Sequence, residues 1–347
     1  MEMAAAARPI EAVIADPQTS PRTRRLLSNV KYVRRFARAN GLRVSGNYEH
    51  YVELDRAYPI WFVNASHPLR FQPKTFSFPI IGSFPGLSWF AEEDADRFAD
   101  RLEKNGWDVN KRGVSAFSTG GWFDDPIVWS MLRSRQTAVV RLVNVVLHES
   151  VHATVLIKNQ QYFNESLASF MANTMTGQYL QRRTGEYLPE QYVSWMKGKK
   201  RGRLYAKLYN ETYLALDAVY KGGLPAEQKL ARKAEIIGRL RERLKIKGTI
   251  NNATLIGFRL YEVGRDDFSA LYEACGYSWR RFLTAVSTIP EAAFGQDQRA
   301  DFGPVVDAVT RRGCPEELYP IDSLGADTHP WRSKQRRRLA KIWGRKP

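Results

Sequence analysis

Cysteine, histidine and long apolar runs are all scarce in this chain of 347 residues. Its two cysteines, Cys275 and Cys314, exclude a scaffold built on many disulfides, and the sequence leaves open whether they pair or stay as thiols. No run of about 18 apolar residues is present, so no membrane-spanning helix is expected. The first residues, MEMAAAARPIEAVIADP, have no apolar core segment and do not read as a signal peptide.

Acidic residues are also few relative to basic ones: 36 Asp and Glu against 53 Lys and Arg give a net charge of +17. The basic excess is concentrated in two places, residues 197–203 and residues 331–347. The second of these is predicted to be a disordered tail. No zinc-finger, RNP-like or homeodomain pattern accompanies them, so sequence-specific binding of nucleic acid is not expected. Two interpretations remain: a solvated surface, or contact with an anionic partner, either a membrane surface or nucleic acid.

One short motif stands out from the apolar stretch around it: His148-Glu149-Ser150-Val151-His152, or H-E-x-x-H. Histidines four residues apart lie on one face of an α-helix, so both imidazoles can reach the same zinc ion. Glu149 follows the first ligand and can accept a proton from the attacking water. The alternative, a pair of hydrogen-bonded core histidines, would bury titratable groups at considerable cost. The motif therefore predicts one Zn²⁺ per chain.

A third ligand is offered by Glu165, in the segment Asn164-Glu165-Ser166-Leu167-Ala168-Ser169-Phe170. A hydrolytic zinc site needs three protein ligands and one open position. A short connector can fold the next helix back on the first, and small residues allow close packing there. Asn164 is expected to cap the second helix. The alternative for Glu165 is a carboxylate that only stabilises the dipole of its own helix.

The order of predicted elements indicates an α+β fold. The N-terminal half mixes helices, predicted at 18–40 and 91–105, with strands. The strands are predicted at 58–64, 75–83 and, as paired strands, 107–119. A long apolar helix at 135–158 carries the histidines. Further helices are predicted at 164–183, 188–197, 203–221, 225–246, 251–263, 266–275 and 278–287. We expect one domain over residues 1–330, with an α/β lobe (8–134) and an active-site helix with a helical lobe (135–330).

These elements together resemble known metallopeptidases. H-E-S-V-H followed by N-E-S-L-A-S-F is similar to the gluzincin arrangement, in which the second Glu is the third zinc ligand. A closer resemblance, over roughly residues 8 to 290, is to a bacterial putative aminopeptidase family. The segments that carry it are Arg8-Pro9-Ile10, PKTFSFP (73–79), STGGWFDDP (118–126) and Asn251-Asn252-Ala253. The resemblance implies a zincin-like fold and a peptide substrate.

The resemblance to this family also implies roles for further residues. A tyrosine is expected to stabilise the oxyanion, with Tyr261 preferred; Tyr205, Tyr209 and Tyr213 compete, and packing is the alternative for each. Members of the family are often envelope lipoproteins, which implies the bacterial envelope or periplasm. This chain shows neither a signal peptide nor a lipid-bearing cysteine, and it has Ser83 where the family often has cysteine.

The loop before the metal helix is expected to meet the substrate. The strand ending at Ser118-Thr119-Gly120-Gly121 is predicted to form the cleft edge, because glycines let a substrate backbone approach closely. Asp124 and Asp125 are candidates to bind a free amino group, with turn capping as the alternative and Asp217 and Glu262 as weaker candidates. The predicted function is zinc-dependent hydrolysis by an aminopeptidase. The alternatives are an endopeptidase, a zinc-binding protein without hydrolysis, and a binder of nucleic acid or anionic surfaces.

Overall fold

The computed structural model describes residues 6–44, 46, 48–78, 82–115, 125–134, 137–182, 189–259 and 264–316. Within these ranges the α-helices are α1 (Ile10–Ala15), α2 (Pro21–Leu27), α3 (Val30–Ala39), α4 (Glu92–Lys104), α5 (Trp129–Leu132), α6 (Ala138–Thr154), α7 (Gln161–Arg182), α8 (Pro189–Lys221), α9 (Ala226–Leu244), α10 (Asn252–Arg259), α11 (Arg265–Ala274), α12 (Trp279–Ser287) and α13 (Gly303–Arg312). A 3₁₀ helix, Glu291–Phe294, lies before α13.

The strands form three small sheets in the N-terminal half. They are β1 (Arg8–Pro9), β2 (His50–Val52), β3 (Ile60–Ser66), β4 (Phe76–Phe78), β5 (Gly82–Phe84), β6 (Gly86–Trp89), β7 (Asp108–Val114) and β8 (Ile127–Val128). The sheet orders are β1-β2-β8, β6-β3-β7 and β4-β5. All pairs are antiparallel except β2 with β8, which is parallel. Mixed α/β architecture with small sheets agrees with the predicted α+β class.

The β6-β3-β7 sheet lies between two helices. Successive residues of a strand point to opposite faces, and the buried Val63 and Ala65 share an apolar cluster with α4. Asn64, between them, faces α10 and donates from Nδ2 to the carbonyl of Ala253, at 2.8 Å. In the described residues β7 pairs with β3 alone, so it is an edge strand of this sheet.

The Asn251-Asn252-Ala253 segment fastens α10 to this sheet. Asn251 donates from Nδ2 to the carbonyl of Val109 at 2.7 Å, and the backbone N–H of Asn252 donates to Asp108 Oδ2 at 2.9 Å. Asp108 also forms an ion pair with Lys233 of α9. Buried polar groups require such partners, so this segment has a structural role in joining the sheet to the helical half.

Several predicted elements differ from the structure. The predicted helix at 18–40 is two helices, α2 and α3, separated at Ser28 and Asn29. Of the paired strands predicted at 107–119, the described residues hold one strand, β7, whose partner is the distant β3, and residues 116–119 lie outside the described ranges. The predicted strand at 75–83 is two paired strands, β4 and β5. In each case the local pattern is correct in type, and the partner or the boundary is set by packing elsewhere.

The largest difference concerns α8. The sequence predicts two helices, 188–197 and 203–221, separated by a basic segment with two glycines. The structure has one helix, α8, that continues through the segment. Elements that the sequence analysis missed are α1, α5, α13, β1, β2, β6, β8 and the 3₁₀ helix.

The core is centred on α6 and α7. Side chains such as Leu142, Val143, Val146 and Leu147 of α6 are fully buried. None of the helices in the described ranges is long and apolar enough to cross a membrane. Cys275 and Cys314 form a disulfide with 5.0 Å between their Cα atoms, which answers the question that the sequence left open. The tail 331–347 lies outside the described residues.

Candidate metal centre

The helix α6 presents both histidines near its C-terminal end. Its apolar residues recur at helical spacing and bury one side against the core, while His148 and Glu149 stay only partly buried. The helix ends at Thr154, because Val155 adopts an extended conformation with φ −129° and ψ 123°. The H-E-x-x-H motif therefore occupies the last turns of a rigid, buried helix.

The next helix folds back against α6. Asn144, one turn before His148, donates from Nδ2 to Asn173 Oδ1 at 3.1 Å, whereas Glu165 lies at the level of the histidines. This register shows that α6 and α7 run antiparallel. The buried Ser166 and Ala168 permit close packing of the two helices, as predicted.

Potential ligand atoms from three residues converge where these helices meet. The Nε2 atoms of His148 and His152 are 3.1 Å apart. Glu165 Oε2 is 3.4 Å from His148 Nε2, and Oε1 is 3.4 Å from His152 Nε2. Their side chains are 16%, 8% and 13% exposed for His148, His152 and Glu165, so the group is largely shielded but open to solvent on one side. This group of residues can hold a metal ion.

The local electrostatics keep Glu165 ionised. Burial raises the pKa of its carboxyl. The charge of His152 and hydrogen bonds from His148 and His152 lower this pKa, and together they outweigh the effect of burial. The net pKa lies well below the ordinary value, so the carboxylate is available as an anionic ligand at neutral pH.

Gln161 holds the Glu165 carboxylate from the other side. Its Nε2 donates to Glu165 Oε1 at 2.8 Å, and its backbone N–H donates to Gln298 Oε1 at 3.0 Å. The sequence analysis missed Gln161, although a Gln four residues before a Glu on a helix is a detectable pairing. Gln298 lies 137 residues from Gln161, and no local pattern indicates that contact. Such outer contacts orient a ligand and tune its metal affinity.

Asn164 does not cap α7, contrary to the prediction. The helix begins at Gln161, so Asn164 lies at its fourth position, fully enclosed. Its side chain exchanges two hydrogen bonds with Ile157: Nδ2 donates to the carbonyl at 2.7 Å, and Oδ1 accepts the N–H at 2.9 Å. Asn164 thus fixes the connector between the helices and the approach of Glu165 to the histidines. Glu165 itself lies beyond the first turn, where the helix dipole stabilises a carboxylate less.

A buried tyrosine lies close to the general-base candidate. Tyr48 is completely buried with φ 63°, and its hydroxyl has no hydrogen-bond partner among the described residues. Burial raises the pKa of Tyr48 well above its ordinary value, and the charges of Glu149 and Asp125 raise it further. Its backbone N–H donates to the carbonyl of Asp125 at 2.7 Å. This contact, across 77 positions of sequence, joins the segment of Tyr48 to the loop before α5.

Most of the remaining predicted site residues lie outside the part of the chain that the structure describes. Ser118, Thr119, Gly120, Gly121, Asp124, Tyr261 and Glu262 lie outside the described residues. Asp125 is 2% exposed, so its carboxylate does not face open solvent, and its burial does not favour the predicted contact with a substrate amine. Asp217 forms a surface ion pair with Lys221 at 2.6 Å.

The competing tyrosines have packing roles. Tyr213 stacks on Phe71 with ring centroids 3.8 Å apart, and Tyr209 stacks on Phe258 at 4.4 Å. Tyr205 lies parallel to Tyr209, at 6.4 Å. All three belong to the apolar cluster that joins α8, α9 and α10. These contacts favour the packing alternative for each of them.

Comparison with known proteins places the chain in a family. The sequence model described as "Putative aminopeptidase" matches residues 1–300, a range that includes all three candidate metal ligands and Glu149. The chain belongs to this putative aminopeptidase family, whose name indicates peptide hydrolysis. No curated protein and no solved structure matches the chain significantly.

Proposed function

We propose that this protein is a zinc-dependent aminopeptidase, in which His148, His152 and Glu165 hold one Zn²⁺. The separations between the ligand atoms are the observation that carries the proposal. Four ligands at about 2.0–2.1 Å from zinc in a tetrahedron lie about 3.3 Å from one another. Here the two histidine Nε2 atoms are 3.1 Å apart, and each lies 3.4 Å from a different oxygen of the Glu165 carboxylate. Taken one atom per residue, the three ligands lie within 4.8 Å of one another, close to this spacing.

The chemistry of these ligands also fits a cation. Two imidazoles and one carboxylate lie together, and an unprotonated imidazole nitrogen and a carboxylate oxygen both act as electron-pair donors. Zinc bound by three protein ligands supplies a water of lowered pKa and a Lewis acid for the peptide carbonyl. The expectation that this is a zincin-like, gluzincin-type site rests on this geometry together with the H-E-x-x-H motif.

Glu149 is proposed as the general base. It follows His148 directly in the sequence and is only partly buried, which leaves it able to reach a water at the centre. There it takes the proton of the attacking water and returns it to the leaving amine. A purely structural metal site needs no such carboxylate, which is why hydrolysis is favoured over a binding role.

Metal analysis tests the ligand set. Chelated protein that is reconstituted with zinc is expected to bind one Zn²⁺ per chain by elemental analysis. His148→Ala and His152→Ala are each expected to lose it. Absence of bound zinc from the wild-type chain after reconstitution contradicts the proposal.

Glu149→Gln separates catalysis from binding. This variant is expected to keep its zinc and to lose hydrolysis of an unbiased peptide library by orders of magnitude, because only proton transfer is removed. Retained hydrolysis would refute the role of Glu149. If the wild type itself cleaves no peptide while it binds zinc, the metal site stands and the peptidase activity does not.

The aminopeptidase assignment has a separate test. Peptides are offered in pairs that differ only by N-terminal acetylation. If a free amino group is recognised, through Asp124 or another carboxylate, the acetylated peptide resists cleavage and the free peptide loses residues from its N-terminus. Equal cleavage of both peptides indicates an endopeptidase.

A further inference from the structure

The outer side of α8 combines exposed apolar and cationic residues on one face. Val193, Met196 and Leu204 are 49%, 46% and 51% exposed, although large apolar side chains usually find cover in a folded protein. At about 100° per residue, the three lie within about 80° of one another around the helix. They form an apolar stripe along the helix, which Lys197 and Lys200 interrupt between Met196 and Leu204.

Four cations lie within or beside this stripe. Lys197, Lys200, Arg201 and Arg203 are all exposed, and each falls within about 80° of Val193 around the helix. None of them forms an ion pair with a described residue. The sequence has no Asp or Glu between positions 191 and 210. The positive charge of this surface is therefore not neutralised locally.

The opposite side of the same helix is anchored. Trp195 packs over Gly177 of α7, and Tyr192 accepts a hydrogen bond from Gln181 Nε2 at 2.9 Å. Both aromatic residues pack against the main core. The outer face is thus presented by a helix that is held rigidly from behind.

We infer that this face, named the α8 outer face and made of the three apolar and four cationic residues above, docks on a membrane that contains anionic lipids. A helix with such a face lies in the plane of the interface, with its apolar residues among the acyl chains and its cations on lipid phosphates. Charge complementarity excludes the basic tail as the occupant, because residues 331–347 contain eight Lys or Arg and no acid. Nucleic acid explains the cations but leaves the apolar stripe without a role.

Vesicle flotation of the full-length chain tests the inference. The wild type is expected to bind vesicles of phosphatidylcholine mixed with phosphatidylserine, and not vesicles of phosphatidylcholine alone. Binding is expected to weaken when salt rises from about 0.1 M to about 1 M, because the Debye length falls from ~10 Å to ~3 Å. The readout is binding, so it is independent of the metal centre and of hydrolysis. No binding to the mixed vesicles overturns the inference.

Two sets of substitutions locate the surface. The first variant changes all four cations, Lys197, Lys200, Arg201 and Arg203, to Gln, and it is expected to bind vesicles at least about tenfold more weakly. The second variant keeps every charge and changes Val193, Met196 and Leu204 to Gln, and it is also expected to bind about tenfold more weakly. The second set keeps the test valid if the first variant does not fold, which circular dichroism will show.

A matched control removes the same charge elsewhere. Arg25, Lys31, Arg35 and Arg38 are exposed cations of α2 and α3, and changing all four to Gln lowers the net charge equally. This control is expected to bind vesicles like the wild type. An equal loss in the control attributes binding to net charge and overturns the inference. Nucleic acid is the partner instead if the wild type binds a single-stranded oligonucleotide but no vesicles, and if the apolar variant still binds the oligonucleotide.

Discussion

At the scale of single residues, the question is whether Glu165 is a metal ligand or an ordinary helix carboxylate. Its two oxygens each lie 3.4 Å from a histidine nitrogen, and Gln161 holds the carboxylate in that orientation. A ligand role and a dipole role make different predictions about zinc, and the difference is measurable by chelator competition.

Glu165→Gln is expected to weaken zinc binding by several orders of magnitude, because one of three protein ligands is removed. Gln161→Ala is expected to weaken it roughly 10–100-fold, since the ligand loses its orientation. The control is Glu190→Gln, an acidic residue in the first turn of α8, which is expected to leave zinc affinity unchanged. Unchanged affinity in Glu165→Gln would leave the proposed centre without its third ligand.

Tyr48 carries a second prediction at this scale. A buried hydroxyl without a partner costs free energy, so Tyr48→Phe is expected to leave the free energy of unfolding unchanged or to raise it by about 1 kcal/mol. Tyr51 is a matched control, because its buried hydroxyl donates to Glu53 at 2.7 Å. Tyr51→Phe is expected to lose about 1 kcal/mol. Urea denaturation measures both. A clear loss in Tyr48→Phe would show that its hydroxyl has a partner outside the described residues.

At the scale of the element, α8 is the helix that local sequence describes least well. Gly198 and Gly202 interrupt its helical pattern, and the sequence therefore predicts a break there. A Cβ atom at either position would meet no atom within 4 Å, so packing requires neither glycine. The helix continues because its inner side, with Trp195 and Tyr192, is held against α7. Tertiary packing here overrides weak helix propensity.

Alanine substitutions test this account. Gly198→Ala and Gly202→Ala are each expected to raise the free energy of unfolding by roughly 0.5–1 kcal/mol, because alanine is the better helix former. Gly177→Ala is the opposite case, since its Cβ would lie 2.5 Å from the Trp195 ring. That variant is expected to lose about 1–3 kcal/mol by overpacking. Thermal or urea denaturation compares the three, and stabilisation by Gly177→Ala would contradict the packing of α8 on α7.

At the scale of the whole molecule, one covalent link ties the last helices together. The disulfide joins Cys275, directly after α11, to Cys314, beyond α13, and closes a loop with a sequence separation of 39. Nearby, Arg281 donates to the carbonyl of Pro315 at 3.3 Å. Neither end of the disulfide is a candidate metal ligand, so its contribution to stability is separable from metal binding.

Replacing both cysteines by alanine is expected to lower the free energy of unfolding by roughly 2–4 kcal/mol, because the unfolded chain regains the entropy of the open loop. Zinc affinity is expected to stay within about twofold of the wild type, since mutations at distant, independent sites do not couple. Guanidinium denaturation and chelator competition measure the two effects. Reduction of the wild type by dithiothreitol offers an independent comparison, and equal stability with and without the bond would contradict the prediction.

The sequence by itself determined the helices whose periodicity and capping signals lie within a short stretch of neighbouring residues. Histidines four residues apart must share a face of a helix, and an apolar stretch around them must be buried, so the metal helix could be predicted. Its predicted bounds, 135–158, extend three residues before and four residues beyond the observed Ala138–Thr154. The acidic first turn of α4 and Gly106 after it likewise predicted that helix to within one residue at each end. Periodicity and capping are local, and they carry this information without knowledge of the fold.

Tertiary structure decided the contacts between distant parts of the chain. Four contacts join segments whose proximity no local pattern encodes: Gln161 with Gln298, Tyr48 with Asp125, Cys275 with Cys314, and β7 with β3. The same holds for the α8 outer face, which exists only because packing keeps the helix continuous. Such contacts form when packing of the core fixes which segments meet, and their energies depend on that arrangement as a whole.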